Sequence, residues 1–186
     1  MTGRDDNERL FHGDADRLRS VERVAMLEPD RVVAFSLRGL SVETVLDVGT
    51  GTGLFAEAFA VAGATVTGVD VSTELLAMAR QHVPGGRFIE ATAEALPFGD
   101  KSFDLVFLGH ILHEADDPLE ALREAARAAR ARVVIVEWPY RREESGPPLA
   151  HRLSPAKIEG LAASAGLAVQ SRVSLSHVDM YALGAV

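Results

Sequence analysis

Cysteine is absent from the chain. That excludes disulfides, thiolate-bound metal and a cysteine nucleophile together. Long apolar runs are missing too: no stretch approaches the ~20 residues that span a bilayer. Met1 to Arg9 is polar and charged, without the apolar centre of a secretory signal, so a cytoplasmic protein with no membrane span is expected. Basic residues are the minority charge, 19 Lys and Arg against 27 Asp and Glu, for a net charge of -8. Binding to nucleic acid draws mainly on Lys and Arg set against phosphate, and this balance argues against it. Arg127, Arg130 and Arg132 come nearest to a basic patch and read as the solvated face and end of a helix. Of the six histidines only His110 and His113 lie close together, with no third ligand nearby, so no metal site is expected.

What is present is one domain's length of ordinary globular composition: 186 residues, 47% hydrophobic and 25% charged. Residues 1–186 read as a single unit, with an N-terminal helical segment over 1–41 and a core over 42–186. Leu18 to Leu40 predicts one or two helices, the second opened by Pro29. Apolar runs then alternate with helical patterns, the signature of βαβ units. Strands are expected at Thr44–Val48, Thr65–Val69, Arg87–Ala91, Phe103–Leu108 and Val133–Val136. Between them, Leu54, Phe55, Ala58, Phe59 and Ala62 share a helical face that stops at Gly63, Ser72 can cap a helix with Leu75, Leu76 and Ala79 inward, and Asp117-Pro118 opens a helix with Leu119, Leu122, Ala125, Ala126 and Ala129 at core spacing. Glu137 to Leu153 is a long loop, and Ser154-Pro155 starts a last helix ending at Gly166. Leu167–Ser174 and Val178–Leu183 are joined too tightly for a helical crossover and should pair antiparallel. The expected fold is α/β: a doubly wound, mostly parallel seven-stranded sheet with an antiparallel last strand, in three αβα layers.

The strongest local signal is Val45-Leu46-Asp47-Val48-Gly49-Thr50-Gly51-Thr52-Gly53, between a strand and a helix. Glycines there allow a sharp turn and close approach of a ligand, and the helix start adds free N–H groups. The carboxyl edge of a parallel sheet is where nucleotide-like ligands bind. The spacing is Gly-x-Gly-x-Gly, with Leu54 where a dinucleotide-binding turn would place its third glycine, and no Gly-Lys-Ser/Thr follows. Asp70 ends the next strand, where a carboxylate can accept hydrogen bonds from both hydroxyls of a ribose.

These residues resemble the class I S-adenosylmethionine-dependent methyltransferases, especially the small-molecule group that includes the ubiquinone and menaquinone biosynthesis enzymes. Asp47 to Gly53 is similar to their first motif and Gly68-Val69-Asp70-Val71-Ser72 to their second. Ala93-Glu94-Ala95-Leu96-Pro97-Phe98 with Ser102-Phe103-Asp104 resembles the segment between their third and fourth strands. The resemblance implies S-adenosylmethionine as cofactor, S-adenosylhomocysteine as product and a small-molecule methyl acceptor as partner, in a monomer or homodimer. It places Gly49, Thr50, Gly51 and Gly53 under the methionine part, Asp47 by its amino group, Asp70 on the ribose and Val71 on the adenine. Ala93 and Glu94 would lie by the adenine edge, and Gly109 beneath the cofactor. Thr92 departs from the acidic or amide residue usual before the Ala-Glu pair, and its hydroxyl is the weaker acceptor.

Methyl transfer from a sulfonium is an in-line displacement that positioning alone can accelerate strongly. A base is needed only where the acceptor loses a proton. His110 and His113, after the fourth strand, and Glu137, after the fifth, are the candidate catalytic residues, each with an alternative role in capping, lining or loop anchoring. Trp138 would line the acceptor pocket, and Phe11 and His12 read as part of an ordinary mobile N-terminus, with a lid over the cofactor as the alternative. Two other functions fit the same motifs: a noncatalytic module that binds S-adenosylmethionine or S-adenosylhomocysteine as sensor or assembly part, and a protein or RNA methyltransferase.

Overall fold

Each core strand is followed by a segment able to cover one face of the sheet, and that alternation sets the architecture. The computed structural model describes residues 15–186; Phe11 and His12, the candidates for a lid, lie outside the described residues. After a 3-10 turn at Ala15–Arg19 come α1 (Val21–Leu27), α2 (Pro29–Leu37), β1 (Thr44–Val48), α3 (Leu54–Val61), β2 (Thr65–Asp70), α4 (Thr73–His82) and β3 (Arg87–Glu90). Then follow β4 (Phe103–Gly109), α5 (Pro118–Ala128), β5 (Ala129–Glu137), a second 3-10 turn at Leu149–His151, α6 (Pro155–Ser164), β6 (Leu167–Ser174) and β7 (Asp179–Ala185). The sheet order is β3-β2-β1-β4-β5-β7-β6. β7 runs antiparallel to β5 and β6, and all other pairings are parallel. The order reverses between β1 and β4, which opens a crevice at the carboxyl ends of those strands.

Successive strand residues face opposite sides, so one strand feeds two cores. Val106 and Leu108 of β4 join Leu46 and Ile135 against Leu122 of α5 and Ile158 of α6. Leu105 and Phe107 join Val45 and Val134 against Phe35, Phe59 and Leu76 on the other face. Coverage on both faces is why these strands read as unbroken apolar runs. The local start signals hold: Ser72 accepts from Leu75 N–H, Asp117 from Leu119 and Glu120, and Ser154 from Lys157, with Pro118 and Pro155 in first turns.

Three expectations change. On α3 the buried residues are Phe55, Ala56 and Phe59, while Ala62 is exposed, because the helix ends at Val61. β5 begins at Ala129, pairing with Phe103, so α5 passes into the strand with no loop. Arg127 ends α5 as expected, whereas Arg130, exposed, and Arg132 lie on β5 and not on a helix. Arg127 donates to the Leu96 and Phe98 carbonyls and to Glu124, Arg130 pairs with Asp104, and Arg132 donates to the Ser36 and Arg38 carbonyls. Among the described residues, no helix is long and apolar enough to cross a membrane.

Candidate functional site

The turn after β1 folds through three left-handed glycines, Gly49, Gly51 and Gly53 at φ 69°, 53° and 79°. A Cβ on Gly49 would lie 2.8 Å from the Ile111 side chain, whereas one on Gly51 would meet nothing within 4 Å. One glycine closes the turn against its wall and the other leaves open space above it. Gly51 N–H donates to Asp70 Oδ2 at 2.8 Å and Ser72 N–H to Oδ1 at 2.9 Å. The tip of β2 is thereby tied to the turn. Each Asp70 oxygen keeps capacity for another donor. Val71 beside it is 47% exposed, an apolar side chain facing open space.

Asp47 lies beneath the turn, buried, accepting from the Thr50 hydroxyl at 2.7 Å. Burial pushes its carboxyl up to about 7; the Thr50 hydrogen bond opposes this and the Asp70 charge adds to it. Burial also raises Asp70, against the pull of the Ser72, Gly51 and Val71 N–H groups. Thr92 is exposed, Ala93 is buried, and Glu94 accepts from Asp117 N–H at 3.3 Å, tying the β3–β4 segment to the start of α5. Gly109 is the last residue of β4.

At the end of β4 the two histidines part. His110 is left-handed (φ 58°), and its N–H bonds to the Val136 carbonyl at 2.8 Å. Its ring is buried between Phe55, 6.5 Å away, and Trp138, 4.6 Å away, and neither ring nitrogen has a partner. Burial, with His113, Arg23 and Arg152 adding to it, holds this imidazole well below the ordinary histidine range. His113 does not share a helix face with it. Residues 112–114 form a single turn in which the Glu114 and Ala115 N–H groups return to the Ile111 carbonyl. Glu137, 1% exposed, accepts from the His113 backbone N–H at 3.1 Å, and its Oε2 lies 2.8 Å from His113 Nδ1. Burial opposes charge on His113, but the hydrogen bond and charge of Glu137, with Glu114 beyond, raise it above the usual value.

The crevice has further walls that no sequence motif marks. Arg19 donates to the Thr52 carbonyl at 3.0 Å and pairs with Glu57, docking the N-terminal segment on the glycine turn. Trp138 is buried between two guanidinium groups, Arg23 of α1 at 5.8 Å and Arg152 at 5.7 Å. Arg152 donates to the carbonyls of Pro139, Ser145 and Pro147, which gathers the loop after β5. Nothing in the order of residues announces these contacts, because each joins segments remote in the chain. Among the described residues, no group of three or more His, Asp or Glu is arranged to hold a metal.

Residues 46–136 match a family described as a methyltransferase domain. That span holds Asp47, the glycine turn, Asp70, Thr92 to Glu94 and both histidines, and it ends one residue before Glu137. Over 95 residues the chain is 40% identical to a demethylmenaquinone methyltransferase of Chlorobaculum tepidum, covering 50% of this chain and 39% of that one. Over 127 residues it is 35% identical to a ubiquinone biosynthesis O-methyltransferase of Haemophilus ducreyi, covering 62% and 54%. The chain therefore spans about half or less of these curated relatives. In fold it is similar to a SAM dependent methyltransferase from Aquifex aeolicus, with a TM-score of 0.82 at 24% identity over 92% of this chain and 97% of that one.

Proposed function

We propose that this chain is a class I S-adenosylmethionine-dependent methyltransferase that transfers a methyl group from this cofactor to a small-molecule acceptor. The observation that carries the reading is the bond from Gly51 N–H to Asp70, with open space above Gly51. It sets an acidic acceptor for ribose hydroxyls beside a floor that a Cβ would obstruct, at the sheet's reversal point. The donor set fits the cofactor. Asp70 would hold the ribose and Val71 would pack on the adenine, with Ala93 and Glu94 by its edge and Thr92 replacing the usual stronger acceptor. Gly49, Thr50, Gly51 and Gly53 would underlie the methionine part, Asp47 would face its ammonium group, and Gly109 would lie below. Bound there, S-adenosylmethionine supplies an electrophilic methyl group; the residues' part is to orient it and exclude water. The names of the relatives from Chlorobaculum tepidum and Haemophilus ducreyi favour acceptors of quinone-biosynthesis type.

Calorimetry with S-adenosylmethionine, with Asp70→Ala and NAD as controls, tests the reading. Binding that Asp70→Ala weakens at least tenfold, with no heat from NAD, is expected. Folded protein that binds neither ligand would refute it.

A further inference from the structure

We propose that Glu137 and His113 form a carboxylate–imidazole couple that suits this site to acceptors methylated on a phenolic or enolic hydroxyl, an inference that rests on the methyltransferase reading above. A carboxylate only accepts, so its 2.8 Å contact assigns the proton of that bond to His113 Nδ1. The same carboxylate fixes the His113 backbone at 3.1 Å, so ring and main chain are held from one side. Nε2 is left without a hydrogen-bond partner, with Glu114 Oε1 3.6 Å away, on a side chain that is 6% exposed. Glu137, almost fully buried, takes the Trp138 N–H as well and cannot itself reach an acceptor. It is the positioning residue and His113 the proton acceptor. His110, closed in by Phe55 and Trp138, takes no part in proton removal.

The chemistry narrows the acceptor. An amine attacks a methyl group through a lone pair it already has, and a base adds little. A hydroxyl must lose its proton, and imidazole is matched to hydroxyls about as acidic as tyrosine, pKa ~10, not to far weaker aliphatic alcohols. His113 Nε2 takes the hydroxyl proton while the oxygen lone pair forms the new O–CH3 bond. The bond from that carbon to the sulfonium breaks with its electron pair left on sulfur, and the imidazolium then releases its proton to solvent. The charged and titratable groups facing His113 are Glu137 from β5, Glu114 from its own turn, Arg152 from the loop and His110 at the end of β4. The two carboxylates hold the imidazole above its ordinary value of 6.5, so the working neutral form grows as pH rises past that point.

The test has two arms on the full chain. Nitrogen NMR of 15N-histidine-labelled protein with S-adenosylhomocysteine should show His113 protonated at Nδ1 and titrating at Nε2. The midpoint should lie above 6.5 and fall in Glu137→Gln. Transfer of labelled methyl from S-adenosylmethionine is then compared between catechol or hydroquinone and o-phenylenediamine. Methylation of the hydroxyl series alone is expected, falling roughly 100-fold or more in His113→Asn, which keeps the backbone bond to Glu137. Glu137→Gln should lower kcat, leave KM nearly unchanged and move the pH profile to lower pH, with Glu137→Asp restoring part of both. An unmoved titration in Glu137→Gln, or methylation of the amine alone or of neither series by protein that binds S-adenosylmethionine, overturns the proposal. Failure to bind S-adenosylmethionine refutes the reading beneath it instead.

Discussion

Gly49 and Gly51 share a left-handed backbone, yet alanine should affect them differently. A side chain in this conformation costs about 1–2 kcal/mol wherever it occurs. At Gly49 the new Cβ also collides with Ile111, so Gly49→Ala should lose more stability in a denaturant titration than Gly51→Ala. At Gly51 the Cβ meets no protein atom, so the variant should remain folded while its cofactor affinity falls at least tenfold. Equal loss of affinity with full retention of stability in both would contradict the open floor. Asp47 carries a second residue-level prediction. Its carboxyl titrates near 7 in the fold against 3.8 for the free side chain, so the folded chain holds that proton more tightly. Its contribution to stability is full below pH 4 and is lost as pH rises through 7. A cation above it favours the ionised form, so S-adenosylmethionine should bind more tightly at pH 8 than at pH 6 and release protons. Calorimetry in buffers of differing ionisation heat measures that release, and Asp47→Asn should remove it.

Among the elements, the segment between β5 and α6 depends on one buried guanidinium. Arg152 spans three carbonyls and Glu143 and covers the face of Trp138. Removing one partner from such a buried network costs about 3–5 kcal/mol. Arg152→Met should therefore lower the unfolding free energy by about that amount, expose residues 140–148 to proteolysis and shift the emission of Trp138, the chain's one tryptophan, to the red. Unchanged emission would mean that the loop stands without it. The same contrast of local and remote causes explains what the chain disclosed before its structure. The glycine turn, Asp70, and the starts at Ser72, Asp117-Pro118 and Ser154-Pro155 rest on residues within a few positions of one another, and all were legible. The start of β5 was not, because Ala-Arg-Ala-Arg continues a helical pattern and only pairing with Phe103 draws it into the sheet. His113 and Glu137 were each readable as bases, but their contact joins two different strand ends. Arg19, Arg23 and Arg152 carried no signal, since a lone arginine does not reveal which distant carbonyl or ring it will meet.

At the scale of the whole molecule, the proposed site draws on both ends of the fold. β1 and β2 supply the turn and Asp70, β4 and β5 the histidine–glutamate couple, and the N-terminal segment bridges them through Arg19 on Thr52 and Arg23 on Trp138. A ligand there ties these parts together and stabilises only the folded chain. At a hundred times its Kd it adds about 2.7 kcal/mol. For a domain of this length each kcal/mol raises Tm by roughly 2–4 °C, so saturating S-adenosylhomocysteine should shift it by about 5–10 °C. Asp70→Ala removes the proposed ribose acceptor and also frees the Gly51 and Ser72 N–H groups, so it should lower the Tm of the free protein and abolish the shift. Arg19→Ala separates the covering segment from the floor: its clamp leaves the donor set intact, so the shift should shrink without vanishing. A full shift in Asp70→Ala would place the ligand elsewhere, and a full shift in Arg19→Ala would mean that the N-terminal segment and the cofactor floor are energetically independent.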